Sequence, residues 1–100
     1  MEGGEGQAES AATVVSYTVE LSHRAEREVL KLDPVMFSRI SAAIDGLTKN
    51  PRPPGVRKLR GRENDWRIRV GRFRVLYTVD DTRRMIVVHR VTDRKDVYRS

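Results

Sequence analysis

Arg67, Arg69 and Arg74 are the side chains whose type and spacing could do chemistry. They lie in residues 66–77, WRIRVGRFRVLY, a stretch that reads as a β-hairpin. Gly71-Arg72 makes a two-residue connection, and Gly at its first position suits a type II′ turn. Counting outward sets Val70 opposite Phe73, Arg69 opposite Arg74, Ile68 opposite Val75, Arg67 opposite Leu76 and Trp66 opposite Tyr77. Side chains alternate across a strand. Trp66, Ile68, Val70, Phe73, Val75 and Tyr77 therefore share an apolar core face, and the three arginines share the other. Like charges directly opposite one another destabilise a sheet, by up to about 1 kcal/mol. A basic face built at that cost is shaped to meet an anion, which guanidinium forks bind through paired hydrogen bonds.

The whole chain leans the same way. Its 100 residues allow one domain with one modest core, and 34% of them are charged against a usual share of about 25%. Lys and Arg number 20 and Asp and Glu 14, for a net charge of +6. Glu2, Glu5 and Glu9 are the only charges in residues 1–15, which leaves residues 16–100 with 20 basic against 11 acidic groups, or +9. A domain that basic, with a pI near 10.3, points to a polyanion or an acidic protein as partner. There is no cysteine, which excludes disulfides and thiolate metal sites. The two histidines and scattered carboxylates show no metal-ligand spacing, so neither metal nor cofactor is expected. No apolar run approaches the ~20 residues of a membrane span, and the N-terminus has no signal-peptide pattern. A soluble cytoplasmic protein with no membrane partner is the expectation.

Several elements must position the hairpin. Residues 1–15, rich in Gly, Glu, Ala and Ser, read as a disordered tail, with a single domain over residues 16–100. Residues 16–21, SYTVEL, alternate as a first strand. Ser22 is a candidate N-cap, and Ala25, Val29 and Leu32 form a short helix face. Asp33-Pro34 starts a second helix, with Phe37, Ile40, Ile44 and Leu47 as its core stripe, and Asn50-Pro51 stops it. After the stiff Arg52-Pro53-Pro54-Gly55 linker comes a basic segment, VRKLRGREN, with Leu59 as its anchor. Residues 80–83 make a turn, and residues 85–91, MIVVHRV, a third strand of the hairpin sheet. With Val79 opposite Arg84, Ile86 and Val88 join the core and His89 lands opposite Arg74. Residues 92–98 read as a turn and one helical turn. The layout is α+β: an N-terminal strand, a two-helix hairpin, three antiparallel strands and a short C-terminal helical turn. Arg67, Arg69, Arg74, His89, Arg94 and Tyr98 would gather on the face away from the helices.

Three pieces of the chain resemble the RelE/ParE superfamily of bacterial and archaeal toxins: Lys58-Leu59-Arg60-Gly61, the 66–77 hairpin, and Val91, Arg94 and Val97-Tyr98. The terminal Arg and Tyr resemble its RelE branch, and the order of elements matches over residues 16–99. The resemblance implies a RelE-like fold and the toxin of a type II toxin–antitoxin system. Such a toxin is a ribosome-dependent, metal-independent endoribonuclease that cuts mRNA in the A site, and a cognate RelB-type antitoxin inhibits it. DNA would be met only through the antitoxin complex. The ribose 2′-oxygen attacks the adjacent phosphate, leaving a 2′,3′-cyclic phosphate and a 5′-hydroxyl.

Charge that builds on the non-bridging oxygens in that reaction suits fixed guanidinium forks. Arg74 matches the family's mid-strand arginine, Arg94 the arginine beside the leaving 5′-oxygen, and Tyr98 the tyrosine that takes the 2′-proton or stacks on a base. A free Tyr has a pKa near 10, so neighbouring arginines would have to lower it. Arg67 and Arg69 stand where familiar RelE-type members carry lysine. Arginine does not shed its proton, so these two would bind phosphate rather than trade protons, which makes His89 a further candidate acid or base. Lys58, Arg60, Arg62 and Lys95 are candidate contacts to the RNA backbone, with Arg52 and Arg57 extending the positive surface. The outer helix face is open to an antitoxin. Two alternatives remain open: a ParE-like inhibitor of DNA gyrase on the same fold, and a non-enzymatic basic binding module.

Overall fold

A computed structural model describes residues 16–61 and 64–93. Strand β1 (Thr18–Leu21) leads into helix α1 (His23–Leu30) and helix α2 (Pro34–Gly46). Strands β2 (Arg57–Lys58), β3 (Asp65–Val70), β4 (Phe73–Asp80) and β5 (Met85–Asp93) follow. They form one five-stranded sheet in the order β1-β5-β4-β3-β2, in which β1 runs parallel to β5 and every other pair is antiparallel. The α+β class expected from the sequence is what forms. The helices cover one sheet face.

Local chemistry starts each helix. Ser22 Oγ accepts a hydrogen bond from the Ala25 N–H at 3.1 Å, and Asp33 Oδ1 accepts from Met36 N–H at 2.8 Å. Each cap contributes about 1 kcal/mol. Ala25 and Val29 of α1 and Ile40, Ile44 and Leu47 at α2 are buried against Ile68, Val75, Tyr77, Val79, Ile86, Val88 and Val91. The described residues share this single hydrophobic core.

The β3–β4 register is the one counted from Gly71, pair for pair, including Arg69 opposite Arg74. Gly71 itself has φ 58°, a left-handed conformation that glycine adopts without a Cβ penalty. Other expectations are corrected. Phe37 is 42% exposed, and Met36 packs against the core in its place. Val56, not Leu59, packs on the core from the basic segment. That segment also holds the short edge strand β2, which was not expected. β5 runs on to Asp93, so Thr92 and Asp93 are strand residues rather than the turn read there.

The largest correction concerns His89. The β4–β5 turn spans four residues, Asp81 to Arg84, with Arg84 at φ 55°, so Val79 pairs with Ile86 instead of Arg84. Ile86 and Val88 still reach the core, because a slip of two residues keeps the same face. A β-bulge then intervenes: Tyr77 pairs with Val88 and Leu76 with Arg90, which leaves His89 as the extra residue. Arg74 consequently faces Thr92, not His89. The 1–15 tail and the C-terminal helical turn lie outside the described residues.

Candidate active site

Four arginines meet across three strands. Arg57 on β2 pairs in register with Arg67 on β3, and Arg69 on β3 pairs with Arg74 on β4. Each is a like-charge pair that the sheet holds at a cost of up to about 1 kcal/mol. All four line one cleft of about 550 Å³. β2 covers only Trp66 and Arg67, so beyond it Ile68 and Val70 line the cleft at an edge of β3 with no strand alongside. Ala43 and Gly46 of α2 and the Pro53-Pro54-Gly55 loop close the far side.

These cations differ in setting. Arg74 is only 6% exposed, held mid-strand beside the buried Thr92, whereas Arg57 and Arg69 are exposed. No carboxylate lines the cleft among the described residues. Elsewhere arginines are matched: Arg52 with Asp81 at 2.8 Å, Arg72 with Asp93 at 2.9 Å and Arg90 with Glu28 at 3.0 Å. Among the described residues Arg57 and Arg69 have no such match. The cleft is thus a focus of fixed positive charge in a concave, half-enclosed space, which binds oxyanions well and favours transition states that spread negative charge.

Of the remaining candidates, Lys58 sits on β2 with Nζ 5.9 Å from the Trp66 ring centre, and Arg60 is exposed just beyond it. Neither lines the cleft. Arg62, Arg94, Lys95 and Tyr98 lie outside the described residues. His89 is exposed on β5 with Nε2 2.7 Å from Thr78 Oγ1. Thr78 Oγ1 in turn donates to Asp65 Oδ1 at 2.8 Å. His89 therefore sits against Thr78, out of register with Arg74, and does not line this cleft. Arg52 adds little open charge. Asp81 accepts from both of its terminal nitrogens, at 3.2 and 2.8 Å, and its guanidinium stacks 5.0 Å from the Trp66 ring centre.

That Arg52 fork and the Tyr17 hydroxyl, 2.7 Å away, hold the Asp81 carboxyl below the usual carboxylate range. The clamp anchors the loop whose next three residues wall the cleft. Tyr77 anchors the same loop from below by donating to Pro51 O at 2.7 Å, and burial pushes its pKa up to about 12. Sequence reasoning counted Arg57 only within a basic run and missed Gly46, Pro53 and Pro54 as site residues. The two-proline loop next to a strand edge was the available signal.

A family model described as the ParE toxin of the type II toxin–antitoxin system parDE matches residues 19–98. The chain belongs to this ParE toxin family, within the RelE/ParE superfamily. It is 32% identical to toxin RelG of Mycobacterium tuberculosis over 84 residues, covering 83% of this chain and 97% of RelG. It is 27% identical to a putative toxin RelE1 of Methanocaldococcus jannaschii over 89 residues, 86% of this chain and 99% of that one. Among solved structures it is similar to the archaeal RelE–RelB complex of Pyrococcus horikoshii OT3. The TM-score is 0.72 at 25% identity, covering 79% of this chain and 96% of that one. The RelBE2 toxin–antitoxin complex of M. tuberculosis gives a TM-score of 0.69 at 31% identity, covering 80% and 100%. The chain is thus a type II toxin with the RelE fold. No described helix is long and apolar enough to cross a membrane.

Proposed function

We propose that this toxin is a ribosome-dependent endoribonuclease that cuts mRNA in the A site, with chemistry that needs no metal. The observation that carries the reading is the pair of opposed arginine couples, Arg57–Arg67 and Arg69–Arg74, lining one cleft of a RelE-like fold. The ribose 2′-oxygen attacks the adjacent phosphorus, the bond to the 5′-oxygen breaks, and a 2′,3′-cyclic phosphate and a 5′-hydroxyl form. Arg69 and Arg74 take up charge on the non-bridging oxygens, and Arg67 adds to the field. Arg94 is assigned to the leaving 5′-oxygen, which takes a proton from solvent as its bond to phosphorus breaks, and Tyr98 to the 2′-proton. Lys58, Arg60, Arg62 and Lys95 hold the RNA backbone, with contacts that weaken steeply in salt. A cognate RelB-type antitoxin inhibits the toxin in the cytoplasm, a reading supported by similar structures solved as RelE–RelB complexes. DNA is met only through that complex.

The test adds purified protein to a translation reaction and maps mRNA ends. Ribosome-dependent cuts are expected, reduced about 10²–10³-fold by Arg69→Ala, the scale for removing one charge-stabilising donor. Arg69 is exposed, so this variant keeps the fold. Arg74→Lys and Tyr98→Phe should also slow cleavage. Intact mRNA would refute the nuclease. The match to a family model named for ParE favours one second reading, a gyrase inhibitor, for which trapped gyrase cleavage complexes beside intact mRNA are the signature. Intact mRNA with neither effect would leave a basic binding module.

A further inference from the structure

The cleft has two unlike sides. On the strand side stand the four arginines; on the other stand Ala43, Gly46, Pro53, Pro54 and Gly55, which carry no polar side-chain atom. At about 550 Å³ it is larger than one phosphate needs and falls in the range of small-ligand sites.

Much of the backbone at the end of α2 and at Pro53 is already occupied. Ile44 O accepts from Leu47 N–H at 3.0 Å, and Asp45 O from Thr48 N–H and Oγ1 at 3.1 and 2.7 Å. Gly46 O accepts from Lys49 and Asn50 N–H, both at 3.1 Å, and Pro53 O from Val56 N–H at 3.0 Å. Prolines 53 and 54 have no N–H to give. This wall is also the C-terminal end of α2, where the helix dipole is negative and repels phosphate. An anion therefore belongs on the strand side, and the wall suits a flat, uncharged, weakly hydrated group.

From this asymmetry we infer that the cleft is a nucleotide subsite. One phosphate of an RNA strand lies on Arg57, Arg67 and Arg69, and the attached nucleobase lies with its flat face against Gly46 and the Pro53-Pro54 wall. The wall's side chains offer no hydrogen-bonding group, so the base is accepted chiefly by contact area, as in sequence-tolerant stacking sites. Gly46 keeps the slot open. A Cβ built on it meets nothing within 4 Å, so the space beside this lining residue is open to a larger side chain. The subsite rests on the reading of the arginine cleft as an RNA site and adds what that reading lacks, a seat for the base.

The test is calorimetric titration of the full chain at fixed salt with two uncleavable probes. One is a diadenosine monophosphate blocked by 2′-O-methylation; the other is the same backbone without its bases. For the unsubstituted protein, base removal should weaken binding about tenfold, the scale of one stacked base. In Gly46→Leu, and independently in Ala43→Leu, the ratio between the two probes should fall to about one, with thermal melts confirming that both variants fold. Arg69→Ala should weaken both probes together and keep their ratio. Equal binding of the two probes, or an unchanged ratio in the folded leucine variants, would overturn the proposal. So would a hexaglutamate peptide that binds as tightly as the dinucleotide and is lost in Gly46→Leu, which would make the cleft a seat for an acidic protein segment. Base-dependent binding without any mRNA cleavage would refute the nuclease and leave the subsite standing.

Discussion

Replacing Glu28 with alanine tests how β5, the strand that pairs with β4 behind Arg74, is held. β1 ends at Leu21, so β5 has no strand neighbour on that side beyond Val88. Side chains of the α1 region act in its place. Ser22 Oγ donates to His89 O at 3.1 Å, and Glu28 Oε1 accepts from the Val91 N–H at 2.7 Å. Glu28 Oε2 also accepts from Arg90 Nε at 3.0 Å. Val91 is 3% exposed, so in Glu28→Ala its N–H is left buried without an acceptor, a cost of about 1–3 kcal/mol. The partly buried pair with Arg90 adds up to about 1 kcal/mol. We expect a loss of about 3 kcal/mol for Glu28→Ala and about 1 kcal/mol for Glu28→Gln, whose amide oxygen still accepts the N–H. Arg24→Ala is the control: its Nε is 3.8 Å from Glu28 and its side chain 62% exposed, worth no more than about 0.5 kcal/mol. Urea unfolding followed by fluorescence of Trp66, the single tryptophan, measures all three, and hydrogen exchange at the Val91 amide reads the local opening. A Glu28→Ala cost no larger than that of Arg24→Ala, with Val91 still protected, would refute the reasoning.

Tyr77 should form its phenolate only near pH 12 in a spectrophotometric titration, because burial disfavours the charge; titration near 10 would contradict its placement. Its folded pKa lies above the unfolded value, so its stabilisation is full below about pH 10 and lost as pH rises toward about 12. Tyr77→Phe, which removes the bond to Pro51 O, should cost about 1 kcal/mol in urea unfolding. Asp81 has the opposite sign. Its carboxyl is held low by Arg52 and Tyr17, so its stabilisation is present above the unfolded value of about pH 4 and fades as pH falls below it. The stability gap between the parent and Asp81→Asn should therefore close in acid; a gap that stays constant from pH 7 to 3 would exclude the clamp. Gly71→Val, forced to the left-handed φ of 58° and pressed against Met36 and Arg39, should lose about 2 kcal/mol or more, and a loss below about 0.5 kcal/mol would argue against the turn.

How much was legible followed from how local the determinants are. The β3–β4 register could be counted because a two-residue turn fixes it, and both N-caps could be read because Ser22 and Asp33 each bond a backbone N–H three residues on. The β4–β5 register could not. It depends on Arg84 adopting a left-handed conformation and on His89 bulging out, neither of which has a glycine to announce it. The α2 stripe was read one residue late at its start. Met36, Ile40, Ala43, Ile44 and Leu47 keep the 3–4 spacing of one helix face, and Phe37 falls beside it. β2 was invisible, since two exposed basic residues carry no apolar alternation and become a strand only through the ladder to Trp66 and Arg67. Within the site, the arginines announced themselves by charge. The apolar wall did not, because glycine and proline carry neither charge nor apolar periodicity, and its one signal was the two-proline loop beside the strand edge.

The pairing of β1 with β5 bears on how the molecule is made. Val19 is seated beside Ile86, so β1 waits for a strand that lies far along the chain from it. Both helices and the arginine hairpin can form sooner, but contacts so distant along the chain close late. Until β5 has formed, Arg74 lacks Thr92 beside it and Glu28 has no Val91 amide to hold. A chain in which β5 has not yet formed therefore carries the cations but not the completed sheet behind them, and the arginine face is finished only when β1 and β5 meet.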